Sequence, residues 1–209
     1  MTGLQPETRE NMPVGVSVAM KYPADVIRCI ADLPTQEYFD WYNLLNEKLD
    51  GLVTFGAEFL RSAGYRAIAQ TRAQVGASGI LSTALPHKTV ATRAGIGWIG
   101  KCALLVTEVY GSMIRLSSIL TDAPLGAARP VNDSKCGGCR ACTDACPAGA
   151  VSGREWSAGL CRDEFFDAPA CQKTARERAR LGFGADGVVA ICGRCIAVCP
   201  YTLGYLEQS

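Results

Sequence analysis

Apolar positions along the first part of the chain alternate between two periods. Val14–Met20 (VGVSVAM) reads as a buried strand. Tyr38, Trp41, Tyr42, Leu45, Leu49, Leu52, Phe55 and Phe59 then recur at helical spacing. They predict a long helix capped by Thr35 and ended by Gly64, with that stripe turned to the core. Tyr65–Gln70 alternates as a second strand, and Lys88–Ala94 reads as a short helix. Leu104–Thr107 and Ile114–Thr121, separated by a turn around Tyr110-Gly111-Ser112, predict a β-hairpin. Together these elements form an α/β layer with both faces in use. The pattern changes near Pro130, beyond which the recognisable helix is Pro169–Leu181 and cysteines crowd the chain. The expected domains are an α/β lobe over 1–131 and a cysteine-rich lobe over 132–209, an α+β chain as a whole.

Composition narrows the class. Hydrophobic residues make up 48% and charged residues 20%, as in a globular protein with a sizeable core. The net charge of +1 supplies no electrostatic footprint for nucleic acid or an acidic membrane. No apolar run approaches the roughly 20 residues that span a bilayer. The opening MTGLQPETREN has neither a basic n-region nor an apolar h-region, so a cytoplasmic location is expected.

The chemistry lies in the cysteines. Eleven occur in 209 residues, an odd number that a reducing cytosol would keep free of disulfides. Seven fall in two runs, Cys136-x2-Cys139-x2-Cys142-x3-Cys146-Pro147 and Cys192-x2-Cys195-x3-Cys199-Pro200. The first is the bacterial ferredoxin spacing for a [4Fe-4S] cluster, whose fourth cysteine ligates the other cubane in two-cluster proteins. Thiolates at i, i+3 and i+6 let one tight turn wrap three corners of a cube. Zinc is the competing reading for paired C-x2-C units. A zinc site, however, needs neither the third cysteine of the first run nor the two Cys-Pro endings.

Two cubanes need eight thiolates, and the segment between the runs offers Cys161 and Cys171. Cys171 is preferred because it falls in the helix expected near the second run, whereas Cys161 opens the charged Arg162-Asp163-Glu164. By the exchange rule, cluster one takes Cys136, Cys139, Cys142 and Cys199, and cluster two takes Cys146, Cys171, Cys192 and Cys195. Cys29 and Cys102 are left over, and Cys29 reads as a small buried apolar residue.

A second motif, Leu85 to Lys101, contains Gly95-x-Gly97-x-x-Gly100. A dinucleotide fingerprint leaves a strand and opens a helix, whereas here a helix precedes the glycines and a strand follows. Three glycines around Trp98 suggest instead a backbone packed closely on something flat, either a cofactor or the cysteine lobe. A tight helix-to-strand turn with a packed tryptophan accounts for them equally well.

The run Ala94-Gly-Ile-Gly-Trp-Ile-Gly-Lys101 is followed by Leu104-Leu105, the Ser112–Thr121 strand, Asp122-Ala-Pro-Leu125 and both cysteine runs. In that order it resembles the core of epoxyqueuosine reductases, from about Val14 to Tyr201. The resemblance implies a truncated nitroreductase-like, cobalamin-binding lobe followed by a bacterial ferredoxin-like lobe with two [4Fe-4S] clusters, as in the related reductive dehalogenases. It makes cobalamin a candidate cofactor against Gly95, Gly97, Trp98 and Lys101. On the eighth ligand it divides: the spacing of the long reductases falls near Cys161, whereas Arg162 to Cys171 looks like the short members. Against that family, an N-terminal portion of the lobe and the tRNA-binding C-terminal repeats look absent. The stretch matching the family's acidic motif reads Leu81-Ser82-Thr83-Ala84, without a carboxylate.

The expected function is an iron–sulfur oxidoreductase whose two clusters pass single electrons to an active site or corrinoid at the lobe interface. His87, the one histidine, and Lys88 are the candidate proton donors. The alternative is a ferredoxin-type electron carrier that docks a partner redox enzyme. Expected partners are a redox protein, a small-molecule substrate and a second copy of the chain. Nucleic acid is disfavoured: Lys173, Arg176, Arg178 and Arg180 make a local basic helix, but Glu177 interrupts it and the total charge is balanced.

Overall fold

The computed structural model describes residues 12–75 and 85–209. The opening Met1–Asn11 stretch and Leu81–Ala84 lie outside the described residues. In chain order the elements are β1 (Val14–Lys21), α1 (Ala24–Arg28), α2 (Gln36–Ser62), β2 (Ala67–Ala69) and α3 (His87–Arg93). There follow β3 (Trp98–Ile99), β4 (Leu105–Val106), β5 (Ile114–Thr121), α4 (Ala141–Asp144), α5 (Ala168–Phe183), α6 (Arg194–Ala197) and α7 (Pro200–Leu206). This is a mixed α and β chain. No helix among the described residues is long and apolar enough to cross a membrane.

The chain divides into two compact units that exchange segments. One comprises residues 1–20, 44–96 and 115–131; the other comprises 21–43, 97–114 and 132–209. A unit boundary does fall at 131/132, but 21–43 and 97–114 group with the cysteine-rich end.

The first unit is built on a three-stranded sheet in the order β1-β5-β2. β2 pairs antiparallel with β5, Ala67 opposite Thr121 and Ala69 opposite Ile119. Successive strand residues point to opposite faces, so Ile119 and Leu120 serve different layers. Ile119 packs with Val53 and Ala57 of α2, while Leu120 packs with Leu85 and Val90 on the side of α3. Residues Ser117 to Thr121 are accordingly buried without a break, as in a strand covered on both faces.

Thr35 caps α2 as the sequence predicts, its Oγ1 accepting from the Tyr38 backbone N–H at 3.1 Å. The expected core stripe holds only in part. Tyr38, Leu45 and Leu49 are buried, but Leu52, Phe55 and Phe59 are 47%, 69% and 65% exposed. The buried line continues instead through Val53 and Ala57. Small residues win there because the sheet comes close: a Cβ on Gly56 would stand 2.6 Å from Ile119 Cδ1.

The predicted hairpin of Leu104–Thr107 with Ile114–Thr121 is corrected. β4 pairs with β3, Trp98 opposite Val106 and Ile99 opposite Leu105, while β5 spends its hydrogen bonds between β1 and β2. The chain reverses early, because Thr107 and Gly111 exchange backbone bonds of 2.9 and 3.1 Å.

The second unit gathers aromatic pairs around short helices. Trp98 meets Tyr201 edge-on at 4.9 Å, Tyr110 meets Tyr205 at 5.1 Å, and Phe39 stacks on Phe183 at 5.6 Å. α5 begins at Asp167, whose carboxylate accepts from the Ala170 N–H at 2.9 Å, and ends at Gly184 in the left-handed conformation.

Gly97 is a close-approach position, where an added Cβ would lie 2.1 Å from the Val106 carbonyl oxygen. Gly97→Ala is expected to destabilise the protein by about 1–3 kcal/mol. Gly187→Ala, in open space, should stay within about 0.5 kcal/mol of wild type. Urea unfolding of the two variants tests the contrast.

Candidate metal centre

Both cysteine runs are turns that end in one-turn helices. In the first, the Cys139 N–H bonds the Cys136 carbonyl at 3.1 Å, Gly137 takes a positive φ of 52°, and α4 then carries Cys142. Cys146 follows, its sulfur accepting from the Ala150 N–H at 3.4 Å. In the second, Gly193 (φ 77°) caps α6, which carries Cys195. Cys199 caps α7, and Pro200 sits at the first helical position, where its missing N–H is harmless. A Cβ on Gly193 would stand 2.5 Å from Ile30 Cδ1, so the αL turn is also a tight fit.

The fold brings the two runs together. Cys199 is pushed up in pKa by burial, and the charge of Cys136 adds to the rise. Cys171, in α5, is pushed up to about 11 by burial, with Cys192, Cys146 and Asp167 adding like-charge repulsion. Cys161 is exposed and opens the 3-10 turn Arg162–Glu164. Among the described residues no three His, Cys, Asp or Glu side chains converge on a single-ion site. The seven run cysteines and Cys171 are all half-buried.

The glycine motif serves this centre. The β3–β4 loop, Gly100 to Leu104, closes through a 2.9 Å bond from the Gly100 N–H to the Leu104 carbonyl. Lys101 is 5% exposed and its Nζ donates to the Gly137 and Cys139 carbonyls at 2.6 and 2.9 Å. An added Cβ on Gly100 would sit 3.6 Å from Cys136 Sγ, and on Gly95 it would meet the Arg129 carbonyl at 2.8 Å. Trp98 is 1% exposed. Gly95, Gly97, Trp98 and Lys101 therefore all face this chain's own atoms, and none of them offers an open flat surface.

Cys102 has a role that spacing did not reveal. It is buried and hydrogen-bonds both Cys142 and Cys195. The bond to Cys142 draws its pKa down, the bond to Cys195 and full burial push it up, and the net shift is well upward. The one sequence signal was its place directly after Lys101 in the glycine motif. Cys29, expected to be buried, is exposed. It caps the C-terminal end of the short α1, whose buried residues are Val26 and Ile27.

His87 and Lys88 open α3 in the first unit. His87 Nδ1 lies 2.8 Å from Ser118 Oγ. Burial lowers its pKa from the ordinary 6.5, Arg115 lowers it further, and Asp50 partly opposes them.

Comparison with known proteins agrees with this geometry. The 4Fe-4S double cluster binding domain family matches residues 135–202. The chain is 32% identical over 173 residues to the epoxyqueuosine reductase of Listeria monocytogenes, covering 79% of this chain and 40% of that protein. It thus spans well under two thirds of that relative's length. Among solved structures, an epoxyqueuosine reductase with an epoxyqueuosine-modified tRNA-Tyr stem loop superposes with a TM-score of 0.55. The two are 26% identical over 91% of this chain and 49% of that one. A catabolic reductive dehalogenase shares the fold at a TM-score of 0.70 and 18% identity, over 92% of this chain and 27% of that one.

The lowered His87 pKa has a definite pH signature. The folded state binds the proton less well than the unfolded chain, so stability present above about pH 6.5 is lost as pH falls through the folded pKa. His87→Gln should lose less stability than wild type between pH 7 and 5.5, as read by urea unfolding at each pH.

Proposed function

We propose that this chain, which belongs to the epoxyqueuosine reductase-like family, is an iron–sulfur oxidoreductase that moves electrons singly through two [4Fe-4S] clusters. The observation that carries the reading is the pairing of separate cysteine neighbourhoods. Cys199 comes to Cys136, and Cys171 comes to Cys146 and Cys192. This pairing supports cluster one on Cys136, Cys139, Cys142 and Cys199, and cluster two on Cys146, Cys171, Cys192 and Cys195. Thiolate-rich turns with left-handed glycines fit a cubane. Bound there, the clusters supply one-electron storage. The protein's part is to hold the thiolates, bury them and set their electrostatics.

The fold shared with reductive dehalogenases supports reading the first unit as a nitroreductase-like lobe. A corrinoid is a candidate electron acceptor by the same likeness, but the glycine-motif residues do not fit one. The space beside Gly97 and Gly100 is taken by Val106, and the Lys101 ammonium is committed to two carbonyls. We therefore assign that motif to the cysteine lobe and not to a corrinoid site. His87 is our candidate for proton handling, with Lys88 beside it. A histidine of lowered pKa is neutral near pH 7, so His87 would accept and relay a proton rather than store one.

The relative with a bound tRNA stem loop makes tRNA a candidate substrate, against the expectation from the balanced charge. A cytoplasmic location, a redox partner protein and a homodimer belong to the same proposal. A second reading, a carrier that docks a partner enzyme, is favoured by one feature. A recess of about 550 Å³, floored by Tyr201 and Tyr205, opens directly after Cys199.

Anaerobic purification with iron and sulfide counts tests the main reading, and about eight irons per chain are expected. Hydroxocobalamin titration of the same sample separates the acceptors: tight binding would restore the corrinoid reading, and no binding leaves the carrier or another acceptor. Cys171→Ser should lose about half of the iron, one cubane of the two, while Cys161→Ser keeps it all. The reverse pattern would overturn the ligand set.

A further inference from the structure

Resting on the two-cluster reading above, we propose that the Gly100–Leu104 loop, through the Lys101 ammonium, holds cluster one at a higher reduction potential than cluster two. The loop is clamped onto the first run. Lys101 bonds the Gly137 and Cys139 carbonyls, and a Cβ added at Gly100 would stand 3.6 Å from Cys136 Sγ. Ala103 takes a positive φ of 58°, uncommon outside glycine, so the loop keeps a costly conformation directly after Cys102.

Reduction adds one electron, and one negative charge, to a cluster without making or breaking a bond to the protein. Anything positive or hydrogen-bond-donating nearby stabilises the reduced form and raises the potential. Lys101 brings a full positive charge that water scarcely reaches, so the charge acts with little screening.

Beside Cys171, in the second set, stands a carboxylate instead. Cys171 lies one turn into α5 from Asp167, its N–H bonding the Asp167 carbonyl at 3.1 Å, and the Asp167 carboxylate is among the charges acting on the sulfur. A cation beside one set and a carboxylate beside the other separate the two potentials in one direction.

An anaerobic potentiometric titration of the reconstituted full chain, followed by electron paramagnetic resonance, reads both waves. Cys171→Ser, which keeps cluster one alone, identifies which wave is which. Lys101→Met is expected to move the cluster-one wave to lower potential and narrow the gap. Asp167→Asn, which keeps the helix cap, should raise the cluster-two wave. This last variant carries the test if Lys101→Met does not assemble. Unmoved waves at full iron content, equal movement of both waves, or a cluster-two wave above that of cluster one would overturn the proposal. A wild-type protein with far fewer than about eight irons would instead remove the two-cluster reading itself, and this inference with it.

Discussion

A lysine ammonium held out of water by two carbonyls is the contact around which the cysteine-rich unit is arranged. Lys101 reaches the Gly137 and Cys139 carbonyls, 36 and 38 residues further along the chain. Those carbonyls belong to the turn that presents the first three thiols. Burying an ammonium without partners would be prohibitive, so the β3–β4 loop and the cysteine turn form together or not at all. Gly97 and Gly100 keep β3 close to β4, because a Cβ at either would push Val106 away.

The same unit brings together thiols that repel one another once ionised. A hydrogen bond with Cys102 pushes Cys142 upward, and burial with neighbouring charge does the same for Cys171 and Cys199, so the fold favours neutral thiols. A metal that takes up thiolates displaces those protons and couples its own binding to the stability of the fold. Aromatic contacts brace the frame in the meantime: Tyr201, two residues after Cys199, packs edge-on against the fully buried Trp98.

Local patterns were legible and pairings were not. The Thr35 cap, the β1 run and the helix around Cys171 depend on residues close in sequence, and they stand where the pattern puts them. The hairpin failed because two strand-like runs in succession do not say which neighbours they take; β5 found β1 and β2. The helix stripe failed at Phe55 and Phe59 because periodicity marks an apolar face without saying whether a partner reaches all of it. Cys29 was misread for a similar reason, since a lone cysteine carries no directional signal.

The sequence by itself determined the cysteine turns, because three thiols at i, i+3 and i+6 constrain a chain segment too short to do much else. It also determined the family resemblance that the comparisons bear out. Tertiary structure alone decided what faces those turns. Which cysteine of the middle segment is brought to Cys146 and Cys192, that Lys101 reaches into the first turn, and that Cys102 lies between Cys142 and Cys195 are all long-range choices. They depend on how strands and helices pack, and close packing is settled by the whole set of side-chain volumes rather than by any single stretch of chain.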